Sequence, residues 1–487
     1  MGERKNMKKT LLISIMLLAV LALTLLPMSR TSVSAATSPN LTYNTEPYAA
    51  QFVEAAVTGG SDPVGTYVPW DVDIINAESA PNNGAGIYVA VIDTGLVSNW
   101  ASFVAPTAHI DTADGRGWSY NVSWNSGISN FVWTPNPARG FITDMHVGSG
   151  HGTHVTCEIV GYRRSTIGVS PNIVQGVAPG VTIIPILGLD TWFVPCPDPT
   201  YPGCHNGYVE FRGGDDYMLT NAIDYVASLA VAHPSWKIIC TNSWGGSGLD
   251  PALQTSIDNA IAKGVIFTFA AGNSGNAGMD YPGAYPEVIS CAAGGWTMEY
   301  IGYPPDELGN HPTPPPSPGP YRWYLTDVPE KLNTPDAVGN NWQIFLESFS
   351  GLPIAALGQS WKDLDVCAPG AAVVGPYKNE IAWSGTAWVN YNAPVAYYGL
   401  WGTSMATPHV AGVAAIVAYA YPQFNQADME YVLKKAASRI PLASNTKYVP
   451  GDTVVGLGPY FKWTDHDYGN GWLTVDNAMS VASVYHK

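Results

Sequence analysis

Hydrophobic positions along this chain gather into short unbroken runs. Residues 87–92 (Ile-Tyr-Val-Ala-Val-Ile) carry no charged or strongly polar side chain, and similar runs occur at 181–187, 236–240, 265–271 and 288–292. Strands of this kind suit a parallel sheet covered on both faces, because such a strand has no face left for water. Between the runs lie stretches with helical spacing, such as 216–232 and 252–263, the second stopping at Gly264, where a left-handed cap can form. Strand and helix alternating from about residue 65 predict an α/β fold: a doubly wound, mostly parallel sheet with helices on both faces. Two stretches break the rhythm. Residues 190–215 hold Cys196 and Cys204, and residues 297–345 hold a proline cluster at 312–320. Both read as surface insertions into one domain spanning 66–487.

The N-terminus has a separate logic. Arg4, Lys5, Lys8 and Lys9 precede an apolar run from Leu11 to Leu26, followed by small residues ending Ser34-Ala35-Ala36. That order of charge, apolar run and small residues is expected of a secretory signal over 1–36. The run falls short of the ~20 residues that a bilayer span requires. Residues 37–65 then form a short extension or vestigial pro-segment. The expectation is a secreted, extracellular protein with no membrane contact once the signal is removed.

Composition narrows the classes further. Charged residues make up 12%, against roughly 25% in ordinary soluble domains. With Lys and Arg numbering 22 and Asp and Glu 38, the net charge is −16 and no basic patch is visible, which argues against nucleic acid as a partner. The 46% hydrophobic content supplies ample core. Six cysteines in an exported chain suggest disulfides. Cys196 and Cys204 bracket a Pro- and Gly-containing loop and are expected to pair; Cys157, Cys240, Cys291 and Cys367 allow three connectivities or buried thiols.

Three motifs carry candidate chemistry. Val91-Ile92-Asp93-Thr94-Gly95 puts a carboxylate at the carboxyl end of a strand, where parallel sheets place their sites. His151-Gly152-Thr153-His154-Val155 follows a flexible Gly148-Ser149-Gly150 and opens an apolar stretch. Its two histidines lack the intervening Glu of the zinc-protease pattern, so a metal reading is weak. Gly402-Thr403-Ser404-Met405-Ala406-Thr407-Pro408-His409 leads into an apolar helix whose small residues Ala406, Ala411 and Gly412 suit a path through the core. In this set Ser404 is the nucleophile, His151 its base and Asp93 the group that orients the imidazole. Asn273, in Gly272-Asn273-Ser274-Gly275 after another strand, is the candidate second donor to an oxyanion beside the Ser404 N–H.

Together these motifs resemble the subtilisin family, in the chain order Asp, His, Ser that distinguishes it from other serine hydrolases. Lesser matches are Asn242-Ser243-Trp244-Gly245-Gly246, Tyr281-Pro282-Gly283-Ala284-Tyr285-Pro286 and Asp365-Val366-Cys367-Ala368-Pro369-Gly370. The resemblance implies a secreted serine endopeptidase acting through an acyl-enzyme on protein or peptide substrates, as a monomer. It also implies that Ser243, Trp244 and Gly245 pair with the substrate backbone and line the pocket for the side chain before the scissile bond, Trp244 shaping its edge. Asp280 stands just before the Tyr-Pro-Gly motif, near the floor of that pocket. Turned inward it selects Lys or Arg; turned outward it leaves a pocket for aromatic or large apolar side chains. Cys291 and Cys367 sit in motifs that are neighbours in the family and are expected to pair, leaving Cys157 with Cys240, bridged or as thiols. The segment 37–65 is much shorter than the inhibitory pro-domain of many members. The family's strong calcium site is expected to be absent, because 98–102 (Ser-Asn-Trp-Ala-Ser) has no carboxylate and 163–175 has arginines instead of acids. No cofactor is expected. The rival readings are an inactive binding protein of the same fold, disfavoured by four intact site residues, and the acid-active sedolisin group, disfavoured by His151 and Asn273.

Overall fold

The computed structural model describes residues 66–143, 150–164, 172–296, 343–378, 395–442 and 460–485, with short pieces at 329, 332, 381–383, 388–390 and 445–448. The segment read as signal and extension, and most of the proline-rich insertion, lie outside the described residues. Among the described residues no helix is long and apolar enough to cross a membrane.

A ten-stranded sheet forms the centre. Its main strands are β1 (Ile87–Asp93), β2 (Arg116–Asn125), β3 (Asn130–Arg139), β4 (Thr182–Leu187), β5 (Lys237–Asn242), β6 (Ile266–Ala270), β7 (Ile289–Trp296), β8 (Ile344–Leu346) and β9 (Val366–Pro369). Their order across the sheet is β8-β7-β6-β5-β1-β4-β2-β3, with β9 beside β7. β1 runs parallel to both β4 and β5, so that Val89 faces Ile183 on one side and Ile239 on the other. Only the margins are antiparallel, β3 against β2 and β8 against β7.

The unbroken apolar runs have a direct cause. Along β1, Val89 and Val91 enter one core layer with Val155 and Val410, while Ala90 and Ile92 enter the other with Ile223 and Ile257. Burying such a Val or Ile is worth about 1.5–3 kcal/mol, so neither face can be polar cheaply. On the first face lie helices α1 (His151–Val160), α4 (Thr403–Ala420), α5 (Gln426–Ala437) and α6 (Val475–Val484). On the second lie α2 (Asp216–Ala232) and α3 (Pro251–Ala262). Asp215 caps α2 by accepting from the Met218 N–H, and Asp250 caps α3 ahead of Pro251. α4 is buried from Thr403 to Ala418 and packs on α1, β5, β6 and β7.

The insertion at 190–215 is an antiparallel hairpin, Asp190–Pro195 with Tyr208–Gly213, whose loop is closed by the Cys196–Cys204 disulfide. The expected Cys291–Cys367 bridge is not formed, and of the two alternatives for Cys157 and Cys240 the buried thiols are found; the sheet explains both. Cys291 faces Val366 while Cys367 faces Ala292, so the two sulfurs project to opposite sides of neighbouring strands. Cys157 belongs to one core layer and Cys240 to the other, with the sheet between them. All four are buried free thiols.

The β2–β3 hairpin was not anticipated. Tyr120, Phe131 and Trp133 of this hairpin meet Trp192 and Cys196 of the 190–215 insertion in a small aromatic core of their own.

Candidate active site

Asp93 is the last residue of β1, Ser243 follows the end of β5, and Asn273 follows β6 by three positions. All three therefore reach the carboxyl edge of the sheet, where β1 lies between β4 and β5 and the strand order reverses. His151 begins α1. The approach of that helix to β1 requires Gly152: a Cβ there would stand 2.4 Å from the Gly95 carbonyl and 3.1 Å from Asp93 Oδ1. The Gly152 N–H donates to Thr94 Oγ1 at 3.0 Å and the Val97 N–H to Thr153 Oγ1 at 3.0 Å, which ties the helix to the chain leaving β1.

Asp93 and His151 are fully buried. His151 Nδ1 lies 2.8 Å from Oδ1 and 3.0 Å from Oδ2 of Asp93, and the Thr94 N–H donates to Oδ1 at 2.6 Å. A carboxylate accepts only, so the ring proton sits on Nδ1 and the lone pair is left on Nε2. That is the tautomer a general base for a serine needs.

Ser404 occupies the first turn of α4. Its hydroxyl donates to the Ser243 carbonyl at 3.1 Å, and the Ser243 hydroxyl donates to the Ser404 carbonyl at 2.7 Å. The second bond answers a vacancy in the helix: the partner of the Ser404 carbonyl would be the N–H of residue 408, and Pro408 has none. Ser243 thus closes a gap that proline opens one turn from Ser404.

Thr403 arranges Asn273. The Thr403 N–H and hydroxyl both donate to Asn273 Oδ1, at 2.8 and 3.0 Å, while the same hydroxyl accepts from the Gly272 N–H at 3.2 Å. Two donors on one atom identify it as the amide oxygen and leave the Nδ2 end as the donor.

The substrate-side candidates are placed unequally. The Trp244 indole is 1% exposed, donates to the Ile92 carbonyl at 3.0 Å and meets Phe269 edge to face, so it lies in the core and not at a pocket edge. Asp280 is half-buried and packs inward. Its Cβ lies 2.6 Å from where a Cβ of Gly245 would stand, and its carboxyl carbon 2.6 Å from where a Cβ of Gly272 would stand. The Asp280 N–H donates to the Ala271 carbonyl at 2.8 Å, and the following Tyr281 pairs with Gly246.

A pocket of about 570 Å³ opens between the two hairpins, lined among others by Tyr120, Arg139 and Trp192. Asp190 braces it, accepting from Ser119 Oγ at 2.7 Å and Arg139 Nε at 3.2 Å. Residues 100–102 form a single 3-10 turn, Trp100–Ser102.

Sequence reasoning did not single out Thr403, Thr153 or Thr94. The signal for Thr403 was available, since a hydroxyl just before Ser404 at a helix start is placed to bond neighbouring backbone.

A model of the subtilase family matches residues 84–471. The chain is 27% identical over 404 residues to fervidolysin of Fervidobacterium pennivorans, covering 82% of this chain and 41% of that protein. It is 24% identical over 380 residues to subtilisin DY of Bacillus licheniformis, covering 77% of this chain and 92% of the relative. Among solved structures, sphericase aligns with a TM-score of 0.48 at 21% identity, covering 86% of this chain and all of the other. The chain thus spans less than half the length of fervidolysin and most of subtilisin DY. The family match contains Asp93, His151, Asn273 and Ser404, and this chain belongs to the subtilase family of serine endopeptidases.

Proposed function

We propose that this protein is a secreted, monomeric serine endopeptidase that cleaves proteins through an acyl-enzyme intermediate. The observation that carries the reading is the buried contact of His151 Nδ1 with both oxygens of Asp93, which leaves Nε2 as a base. Ser404 attacks the substrate carbonyl as His151 takes its proton. Asp93 stabilises the imidazolium, which then protonates the leaving amine. Water hydrolyses the acyl-enzyme by the same route in reverse. The oxyanion accepts from the Ser404 N–H at the start of α4, where the helix dipole favours negative charge, and from Asn273 Nδ2. These steps need no cofactor.

Asp280 deepens the reading. Its carboxylate is packed on Gly245 and Gly272, beside the segments that bear Ser243 and Asn273. A half-shielded charge there favours Lys or Arg before the scissile bond and disfavours Asp or Glu.

The test is casein hydrolysis by the purified protein, with and without phenylmethylsulfonyl fluoride. Hydrolysis blocked by the reagent, and absent in a folded Ser404→Ala variant, is expected. Hydrolysis that survives both would overturn the assignment.

A further inference from the structure

Behind the candidate triad lies a second polar cluster in an otherwise apolar layer. It comprises Asp71, His154, Glu158 and His409, none more than 5% exposed. His154 stands one turn after His151 on α1, and His409 little more than a turn after Ser404 on α4. Asp71 comes from a short helical turn, Trp70–Asp73, ahead of β1.

The contacts form a chain. His154 Nδ1 lies 2.6 Å from Glu158 Oε1, and its Nε2 lies 3.3 Å from the Tyr398 carbonyl. His409 Nδ1 lies 2.7 Å from the Met405 carbonyl, and its Nε2 lies 3.0 Å from Asp71 Oδ2. The second oxygen of Glu158 is 3.4 Å from His409 Nδ1, an ion-pair contact. One carboxylate therefore reaches both imidazoles, and through them both helices that carry His151 and Ser404.

The acceptors decide the protons. A backbone carbonyl can only accept, so Tyr398 requires a proton on His154 Nε2, and Met405 requires one on His409 Nδ1. The other nitrogen of each ring faces a carboxylate. A neutral imidazole has a single N–H and would aim a lone pair at that anion, in a place with no water to relieve it. Doubly protonated rings satisfy every contact, and two cations then balance two anions. Three titratable neighbours add no charge: burial pushes the thiols of Cys157, beside Glu158, and Cys291, beside Thr407, well above their usual range, and raises the Tyr398 hydroxyl. Burial alone pulls the His409 imidazolium down, but its bonds to Asp71 and Glu158 override that and raise it to about 10.

We infer that Asp71, His154, Glu158 and His409 form a buried, electroneutral ionic quartet that sets the register of α1 against α4, with Glu158 and Asp71 as positioning residues for His151 and Ser404. A buried ion cluster is a poor route to stability, since apolar side chains of the same volume often do as well. What apolar packing lacks is a fixed direction and distance, which a carboxylate between two imidazolium N–H groups imposes. The catalytic half of this inference rests on the triad proposed above.

Two measurements test it. In the ¹⁵N-histidine-labelled Ser404→Ala protein, nitrogen chemical shifts should report two ring protons on each of His154 and His409, and those of His409 should persist from about pH 5 to about pH 9. A ring with one proton, or a His409 that titrates in the ordinary histidine range, would overturn the quartet. In the active enzyme, Glu158→Gln and Asp71→Asn should each lower kcat by roughly 10-fold or more with KM nearly unchanged, because small misplacement of reacting groups is costly. An acylating titrant should still count a full complement of sites. Folded variants with unchanged kcat would overturn the positioning role. Should Glu158→Gln fail to fold, the labelled Ser404→Ala protein still decides the protonation. If the unaltered enzyme cleaves nothing, the triad reading fails while the nitrogen shifts still judge the quartet.

Discussion

At the scale of single residues, Asn273 and Asp280 give the sharpest expectations. The oxygen of Asn273 is held by Thr403, so its amide nitrogen is the end available to an oxyanion. Asn273→Ala should lower kcat by roughly 10²–10³ with little change in KM, the usual cost of one oxyanion donor. Full turnover in that variant would remove Asn273 from the site. Asp280→Asn should lower the ratio of Lys to Phe cleavage when peptides differing only before the scissile bond are compared; an unchanged ratio means the carboxylate plays no part in selection. Asp93, His151, Asn273 and Ser404 were legible because each stands in a local motif with its own turn or helix start. Asp71 and Glu158 were not, since what they do depends on His409, 338 positions from Asp71 in the chain. Trp244 misled for a related reason. A tryptophan beside a substrate-facing backbone suggests a pocket wall, yet its indole turns under the sheet to the Ile92 carbonyl.

Elements were read well where burial is two-sided. The unbroken runs became β1, β4, β5, β6 and β7, and the expected helices formed at Asp216–Ala232 and Pro251–Ala262. The β2–β3 hairpin escaped notice because its signal is alternation: Trp118, Tyr120, Val122 and Trp124 are separated by polar residues, then comes a Ser126-Gly127 turn. The same elements settle the sulfur chemistry. Burial pushes the Cys240 thiol up to about 12 and raises Cys157, Cys291 and Cys367 as well. A thiol reagent should therefore leave the native protein unlabelled and find four thiols after denaturation. A non-reduced digest should contain one bridged pair, Cys196 with Cys204. A peptide joining Cys291 to Cys367 would contradict the strand register.

For the whole molecule, the fold class was legible because strand and helix alternate along the chain. The order of strands was not, since it depends on pairings between distant segments. The helix through the middle of the molecule has a consequence for how the protein comes into being. α4 fills the layer against β5, β6 and β7, yet its residues, 403–420, follow every strand of the main sheet in the chain. A nascent chain that has emerged only as far as β9 has a sheet with one oily face covered by α1 alone among the helices of that layer, and it lacks Ser404. Synthesis therefore delivers the proposed nucleophile and the central helix of that layer in the same stretch. Until that stretch arrives, the chain is both unfinished as a solid and harmless as a blade.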